Sequence, residues 1–119
     1  MAEIRWTNEA VSWIKKIYQY IAEENPVAAQ NVIEGIYAKA QILKAFPKIG
    51  AIYRVERDGE IRILLYGHYR IAYILKNDIV EILGIFHGAM KIENYLTLIR
   101  GEMSTPIAQT AKAMLRMAA

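Results

Sequence analysis

The stretch YRIAYILKNDIVEILGIFHG, residues 69–88, contains the clearest structural signal in this sequence. It holds two apolar runs of strand length, and the ND dipeptide between them is typical of a tight turn. Upstream, AIYRVE and IRILLY have a similar strand-like composition and are joined by RDGE, whose Asp-Gly pair is a strong hairpin signal. The pattern predicts an antiparallel meander of four strands.

The N-terminal part of the sequence predicts one short strand followed by two helices. AEIRW alternates as a strand does, and apolar residues then recur at helical spacing over residues 9–24 and 26–43. Asn25 and Pro26 supply a cap and a first-turn proline, so the second helix begins directly after the first. We therefore expect an α+β fold of two layers: an N-terminal strand, a helical hairpin, and an antiparallel β-meander that the hairpin covers on one face.

The chain changes character after residue 96, which divides it into a domain over residues 1–96 and an extension over residues 97–119. RGEM is a polar break, and STPIAQTAKAMLRMAA predicts a C-terminal helix with a first-turn proline. One side of this helix is apolar and needs a surface to pack on. The candidates are the open face of its own sheet and the same helix of a second copy, which would give a homodimer. The alternative is an unstructured extension. The apolar side comprises Ile107, Ala111, Met114, Leu115 and Ala118.

Composition excludes several classes of function. The chain has no cysteine, which rules out disulfides and thiolate chemistry, and only two histidines, which argues against a metal site. Nothing in the sequence calls for a cofactor. No apolar run approaches the ~20 residues of a membrane span, and the N-terminus lacks the layout of a signal peptide. We expect a cytoplasmic protein without metal or cofactor.

The net charge of +3 is concentrated in one part of the chain. Residues 44–70 contain six basic and three acidic side chains, and the basic and acidic residues elsewhere cancel. This excess predicts a local positive field for phosphates or for an acidic partner. The alternative is a solvated hairpin with ordinary surface cations.

Arg62, Arg70 and His87 are the candidate functional residues of the meander. Because side chains alternate along a strand, Tyr69 and Tyr73 are expected to face the helices and Arg70 the open face. If Ile61, Ile63 and Leu65 form the core side of the preceding strand, Arg62 shares the exposed face with Arg70. Two neighbouring guanidinium groups suit an anion, whereas pairing with nearby carboxylates is the plainer alternative. His87 fits either a general acid or a hydrogen-bonded structural residue.

YRIAYIL, followed by VEILGIFHGAMKIENYL, resembles the C-terminal signature of the RelE/ParE toxin superfamily of bacterial type II toxin-antitoxin modules, including plasmid stabilisation modules. The resemblance extends upstream through IRILLYGHYRI, FPKIG and AVSWIKKIYQYIAEENPVAAQNVIEGI, and it covers residues 2–96. It implies the fold described above and a cognate antitoxin that holds the toxin inactive.

The resemblance implies one of two activities. RelE-like toxins are ribosome-dependent mRNA endonucleases, and on that alternative Arg62, Arg70, His87 and Tyr95 would form the catalytic set. ParE-like toxins instead bind and poison DNA gyrase and lack the nuclease residues. Met90 stands where nuclease members commonly have an arginine, and FHGAMK is similar to the ParE-like ending. We therefore favour the ParE-like branch, with gyrase as target. The nuclease, acting on the ribosome and mRNA, is the alternative, and a binding module that retains only antitoxin recognition is a third reading.

Overall fold

The computed structural model describes residues 1–87, and the elements in this part follow the predicted order. The predicted C-terminal helix and a dimer contact through it lie outside the described residues. A short 3-10 turn at Ile42–Lys44 follows the second helix. The elements are β1 (Glu3–Trp6), α1 (Asn8–Ala22), α2 (Pro26–Gln41), β2 (Ala51–Glu56), β3 (Gly59–Tyr66), β4 (Tyr69–Lys76) and β5 (Ile79–His87).

The strands form one five-stranded sheet in the order β1-β5-β4-β3-β2. Strands β2 to β5 make the predicted antiparallel meander, and β1 adds to it in parallel beside β5, with Ile4 opposite Val80. Among residues 1–87, the two edge strands are therefore β1 and β2. The α+β architecture is confirmed for the described residues.

Short polar residues begin both helices. The hydroxyl of Thr7 accepts a hydrogen bond from the amide of Ala10 and donates one to the carbonyl oxygen of Ile82, which ties the start of α1 to β5. The side chain of Asn25 accepts from the amide of Ala28 at 3.0 Å, and Pro26 occupies the first turn of α2. Each cap satisfies one amide that has no partner within its helix.

Both helices lie over one side of the sheet, which we call the helix face. The Trp6 ring of β1 stacks on Tyr37 of α2, with ring centroids 6.0 Å apart. The Tyr66 hydroxyl lies directly against Gly35 of α2, where a Cβ would collide with it. Since Tyr66 pairs with Tyr69 across the hairpin, alternate residues of β4 starting from Tyr69 also point to the helices, as predicted. The largest buried side chains of the core include Trp13, Ile36, Leu43, Ile71, Tyr73, Ile82 and Ile85.

The predicted orientation of β3 is wrong. Leu65 pairs with Arg70, which places both on the side away from the helices, the open face. Arg62 pairs with Tyr73 and therefore lies on the helix face. The turn fixes this register: Gly67, with a φ of 57°, and His68 form a two-residue connection that sets Tyr66 opposite Tyr69. Both faces of β3 carry apolar residues, so alternation alone did not identify the buried one.

Candidate binding surfaces and the predicted site residues

Arg62 is a buried structural residue in this fold. The residue is 8% exposed, and its guanidinium group donates hydrogen bonds to the carbonyl oxygens of Lys48 at 2.9 Å and Gly50 at 2.7 Å. It also binds the Glu60 carboxylate through Nε and Nη2, at 3.2 and 3.0 Å. The expectation that Arg62 shares an exposed face with Arg70 is therefore wrong, and the alternative of pairing with a nearby carboxylate is confirmed for this residue.

Tyr73 reinforces the contact that Arg62 makes with the loop before β2. The Tyr73 hydroxyl donates to the carbonyl oxygen of Pro47 at 2.7 Å and accepts from the amide of Gly50 at 3.0 Å. Burial raises the pKa of this phenol, so it stays protonated and able to donate. Two buried side chains from neighbouring strands thus hold residues 47–50 in one conformation.

Arg70 and His87 point to opposite faces of the sheet. Arg70 pairs with Phe86 on the open face, whereas His87 pairs with Tyr69 on the helix face. His87 lies at the end of β5, with its ring 6.2 Å from that of Tyr69 and 6.3 Å from that of His68. Burial raises the pKa of Tyr69.

The described members of the predicted catalytic set do not converge. Arg62 and His87 share the helix face, but their partners on β4 are Tyr73 and Tyr69, four residues or ~13 Å apart along the strand. Arg70 is on the other side of the sheet. Tyr95 lies outside the described residues. The roles assigned to these residues in cleavage stay predictions.

The structure shows an apolar cleft that sequence analysis did not identify. It is about 300 Å³ in volume and is lined by Trp6, Val11, Ile14, Ile33 and Tyr37, from β1 and both helices. Val11 and Tyr37 are also exposed to solvent, although they belong to the predicted apolar stripes of the helices. The position of Val11 and Tyr37 could have indicated the cleft. Both lie at the margin of the apolar stripes of the helices, and Trp6 at the end of β1 lies beside them.

A second exposed apolar surface follows the loop before β2 and continues along that edge strand. Phe46 is 61% exposed and Val55 70%, and Ile49 and Ile52 lie exposed between them. The loop side chains line a shallow depression of about 360 Å³. We call this surface the β2-edge patch. No strand of the described part of the chain pairs with the outer side of β2, and such an edge offers main-chain groups to another strand.

Two of the six cations in residues 44–70 form ion pairs with carboxylates of the same segment. Arg54 pairs with Glu56 at 2.9 Å, in addition to the pairing of Arg62 described above. Lys44, Lys48 and Arg57 are exposed and have no carboxylate partner among residues 1–87. Lys48 therefore lies within the β2-edge patch, and Lys44 and Arg57 lie next to its two ends in the sequence.

Two further features of residues 1–87 bear on function. These residues hold no group of three or more side chains able to bind a metal ion. No helix among them is long and apolar enough to cross a membrane.

Comparison with known proteins gives consistent matches. A family model described as "ParE toxin of type II toxin-antitoxin system, parDE" matches residues 4–92. A curated protein of Sinorhizobium fredii named "Putative toxin Y4kP" is 33% identical over 85 residues, which cover 71% of this chain and 86% of that protein. A solved structure described as "Chromosomal ParDE TA system from P. aeruginosa" has a TM-score of 0.60 and 23% identity, over 73% of this chain and 96% of that one. The structural match shows the shared fold.

Proposed function

This chain belongs to the ParE toxin family of type II toxin-antitoxin systems. From that premise we propose that it is a plasmid-stabilisation-type toxin. It binds and poisons DNA gyrase until a cognate antitoxin neutralises it. One observation carries the choice of a binding mechanism over cleavage. The side chains of Arg62, Arg70 and His87 do not lie together in one site. The guanidinium group of Arg62 is already hydrogen-bonded to the loop at residues 47–50. Gyrase is intracellular, so the proposal places the protein in the cytoplasm.

The family implies an antitoxin partner, and we assign its main contact to the apolar cleft. A cleft lined by Trp6, Val11, Ile14, Ile33 and Tyr37 with no polar lining suits one or two apolar side chains of an amphipathic helix. Burial of the exposed Tyr37 and Val11 would stabilise such a complex at ~25 cal/mol for each Å² of apolar surface removed from water. The free edge of β2 is a further contact for an extended segment.

The antitoxin contact is tested by co-expression of the toxin with the product of the small open reading frame beside its gene. We expect a complex that survives purification and that Tyr37→Asp abolishes, because the carboxylate would have to be buried in an apolar cleft. Val27→Asp is the matched control, since Val27 is exposed on α2 but does not line the cleft. Failure of every neighbouring gene product to copurify would contradict the proposal.

The cellular target is tested by induction of the toxin without antitoxin. Gyrase poisoning predicts double-strand DNA breaks and arrest of replication before protein synthesis falls. An early fall in protein synthesis with intact chromosomes would favour the alternative function, a ribosome-dependent mRNA endonuclease. In that case Arg70→Ala should abolish message cleavage while Arg57→Ala, an exposed control, should not.

A further inference from the structure

The strand β2 presents two apolar side chains in a way that a regular strand would not. Ile52 pairs with Arg62 and Val55 with Glu60, and both partners lie on the helix face of β3. Residues three apart on a regular strand point to opposite faces. A register shift between Ile52 and Arg54 brings Ile52 and Val55 to the same face, as a β-bulge does. Both residues stay exposed, so the shift gathers apolar side chains in contact with solvent.

The loop before β2 is held in one conformation although its apolar side chains are exposed. Phe46 and Ile49 of this loop are exposed to solvent. Its main chain at residues 47–50 is hydrogen-bonded to the side chains of Arg62 and Tyr73. A surface that is ordered before binding loses less conformational freedom when a partner docks on it. These hydrogen bonds therefore pre-organise the loop part of the β2-edge patch.

The charge around the β2-edge patch is positive. The carboxylates of the β2–β3 hairpin already form ion pairs within the chain, namely Glu56, Asp58 and Glu60. Lys48 and Arg57 are exposed and have no carboxylate partner in the described part of the chain. Apolar side chains beside unpaired cations fit a ligand with apolar and acidic side chains. A second copy of this chain would bring the same cations to the contact, and like charges disfavour it.

The β2-edge patch is well separated from the apolar cleft. The cleft includes Trp6 of β1, and β1 and β2 are the first and last strands in the order β1-β5-β4-β3-β2. Four strand spacings, or ~19 Å, lie between these two strands. A side chain seated in the cleft therefore does not reach the β2-edge patch, and the two surfaces can serve different contacts.

We propose that the β2-edge patch is the surface through which the toxin binds its target. An extended segment of the target pairs with the outer side of β2. Its apolar side chains contact Ile52 and Val55, and its acidic side chains contact Lys48 and Arg57. This proposal rests on the proposed function, which names gyrase as the target. It also accounts for neutralisation, because an antitoxin that is anchored in the cleft and extends along β2 would occupy the same surface.

Inhibition of purified gyrase by the full-length toxin tests this assignment. Val55→Asp should raise the toxin concentration for half-maximal inhibition at least ~10-fold, because a carboxylate would replace an apolar contact. Val27→Asp is the matched control, since Val27 and Val55 are both 70% exposed and Val27 lies on α2. The control should change this concentration by less than ~2-fold. Unchanged inhibition by Val55→Asp, or an equal loss in Val27→Asp, would overturn the proposal.

A charge reversal tests the acidic character of the segment. Lys48→Glu should raise the concentration for half-maximal inhibition at least ~10-fold, because it places a carboxylate against acidic side chains. Lys15→Glu is the matched control, since Lys15 is exposed on α1 and its reversal changes the net charge by the same amount. Equal effects of the two reversals would show that only the net charge matters and would overturn the proposal.

Two measurements separate the proposal from its alternatives. Val55→Asp should still copurify with the antitoxin, because its cleft is unchanged, and loss of the antitoxin together with gyrase inhibition would overturn the proposal. If Val55→Asp lowers the urea midpoint, Lys48→Glu in the loop replaces it as the test variant. Light scattering identifies a second copy: a dimer that Val55→Asp dissociates would overturn the proposal.

The outcomes also distinguish this proposal from the proposed function. Natural toxin without effect on gyrase would contradict both. Natural toxin that inhibits gyrase, with Val55→Asp and Lys48→Glu equally active, would overturn only the assignment of the β2-edge patch.

Discussion

Replacement of Arg62 by methionine should destabilise the domain severely, because Arg62 holds the loop before β2 in place. Methionine keeps much of the side-chain length but donates no hydrogen bond. The carbonyl oxygens of Lys48 and Gly50 would lose their donors, and the carboxylate of Glu60 would lose its cation. Their distances of 2.7 to 2.9 Å from the guanidinium nitrogens indicate well-formed bonds.

The expected loss of stability follows from these contacts. Hydrogen bonds that involve a charged group contribute ~1.5–3 kcal/mol each, so the two bonds to main-chain oxygens give ~3 kcal/mol at the low end. The Glu60 side chain is 34% exposed, and its ion pair therefore adds only ~0.5 kcal/mol after screening. A domain of this size is stable by ~5–15 kcal/mol, so the substitution removes a large part of the total.

Thermal unfolding followed by far-ultraviolet circular dichroism measures the effect. For ~3 kcal/mol we expect the Tm to fall by ~12 °C or more. Arg57→Met is the control, since Arg57 is exposed and has no ion-pair partner among residues 1–87. Arg62→Lys should be intermediate, because lysine keeps the charge but cannot span both carbonyl oxygens and the carboxylate. A Tm of Arg62→Met within ~2 °C of that of Arg57→Met would refute the reasoning.

Three further predictions concern stability. Tyr73→Phe removes one donated and one accepted hydrogen bond of the buried hydroxyl and should cost ~1–3 kcal/mol in urea denaturation; an unchanged midpoint would contradict this. Gly35→Ala should lower the urea midpoint, although alanine ordinarily favours a helix by ~1 kcal/mol, because its Cβ would collide with the hydroxyl and the ring end of Tyr66. The loss caused by Gly35→Ala should be smaller in a Tyr66→Leu background, where both groups are absent, and an equal loss in the two backgrounds would contradict this. Burial raises the pKa of Tyr69 and of Tyr73 above 10.0. Both phenols therefore contribute stability below pH ~10, and this stability is lost as the pH rises through their folded-state pKa. The urea midpoint should fall between pH ~10 and pH ~11, and a level midpoint over this range would contradict the prediction.

The order of elements could be predicted from the sequence because its signals are local. The Asn25-Pro26 cap and the Asp58-Gly59 hairpin signal each act within a few residues. The cap lies where expected, and the predicted hairpin forms with Arg57 and Asp58 as its turn and Gly59 as the first residue of β3. The face on which Arg62 lies could not be predicted in this way. It depends on the register set by the Gly67-His68 turn, and β3 is apolar on both sides.

The candidate site was harder to predict because its contacts join distant parts of the chain. Arg62 reaches main-chain atoms 12 and 14 residues earlier, and Tyr73 reaches one 26 residues earlier. No local pattern indicates such contacts. The apolar cleft has the same origin, since Trp6 and Tyr37 come together only after the helical hairpin folds over β1.

Supercoiling of relaxed plasmid by purified gyrase, with the purified toxin added, tests the proposed activity most directly. The account predicts that the toxin blocks supercoiling and accumulates cleaved plasmid, and that prior addition of the antitoxin prevents both effects. A translation reaction run beside it, with the same toxin, should show intact messages. Unaffected supercoiling together with messages cut in the ribosomal A site would contradict the account and assign the protein to the nuclease branch.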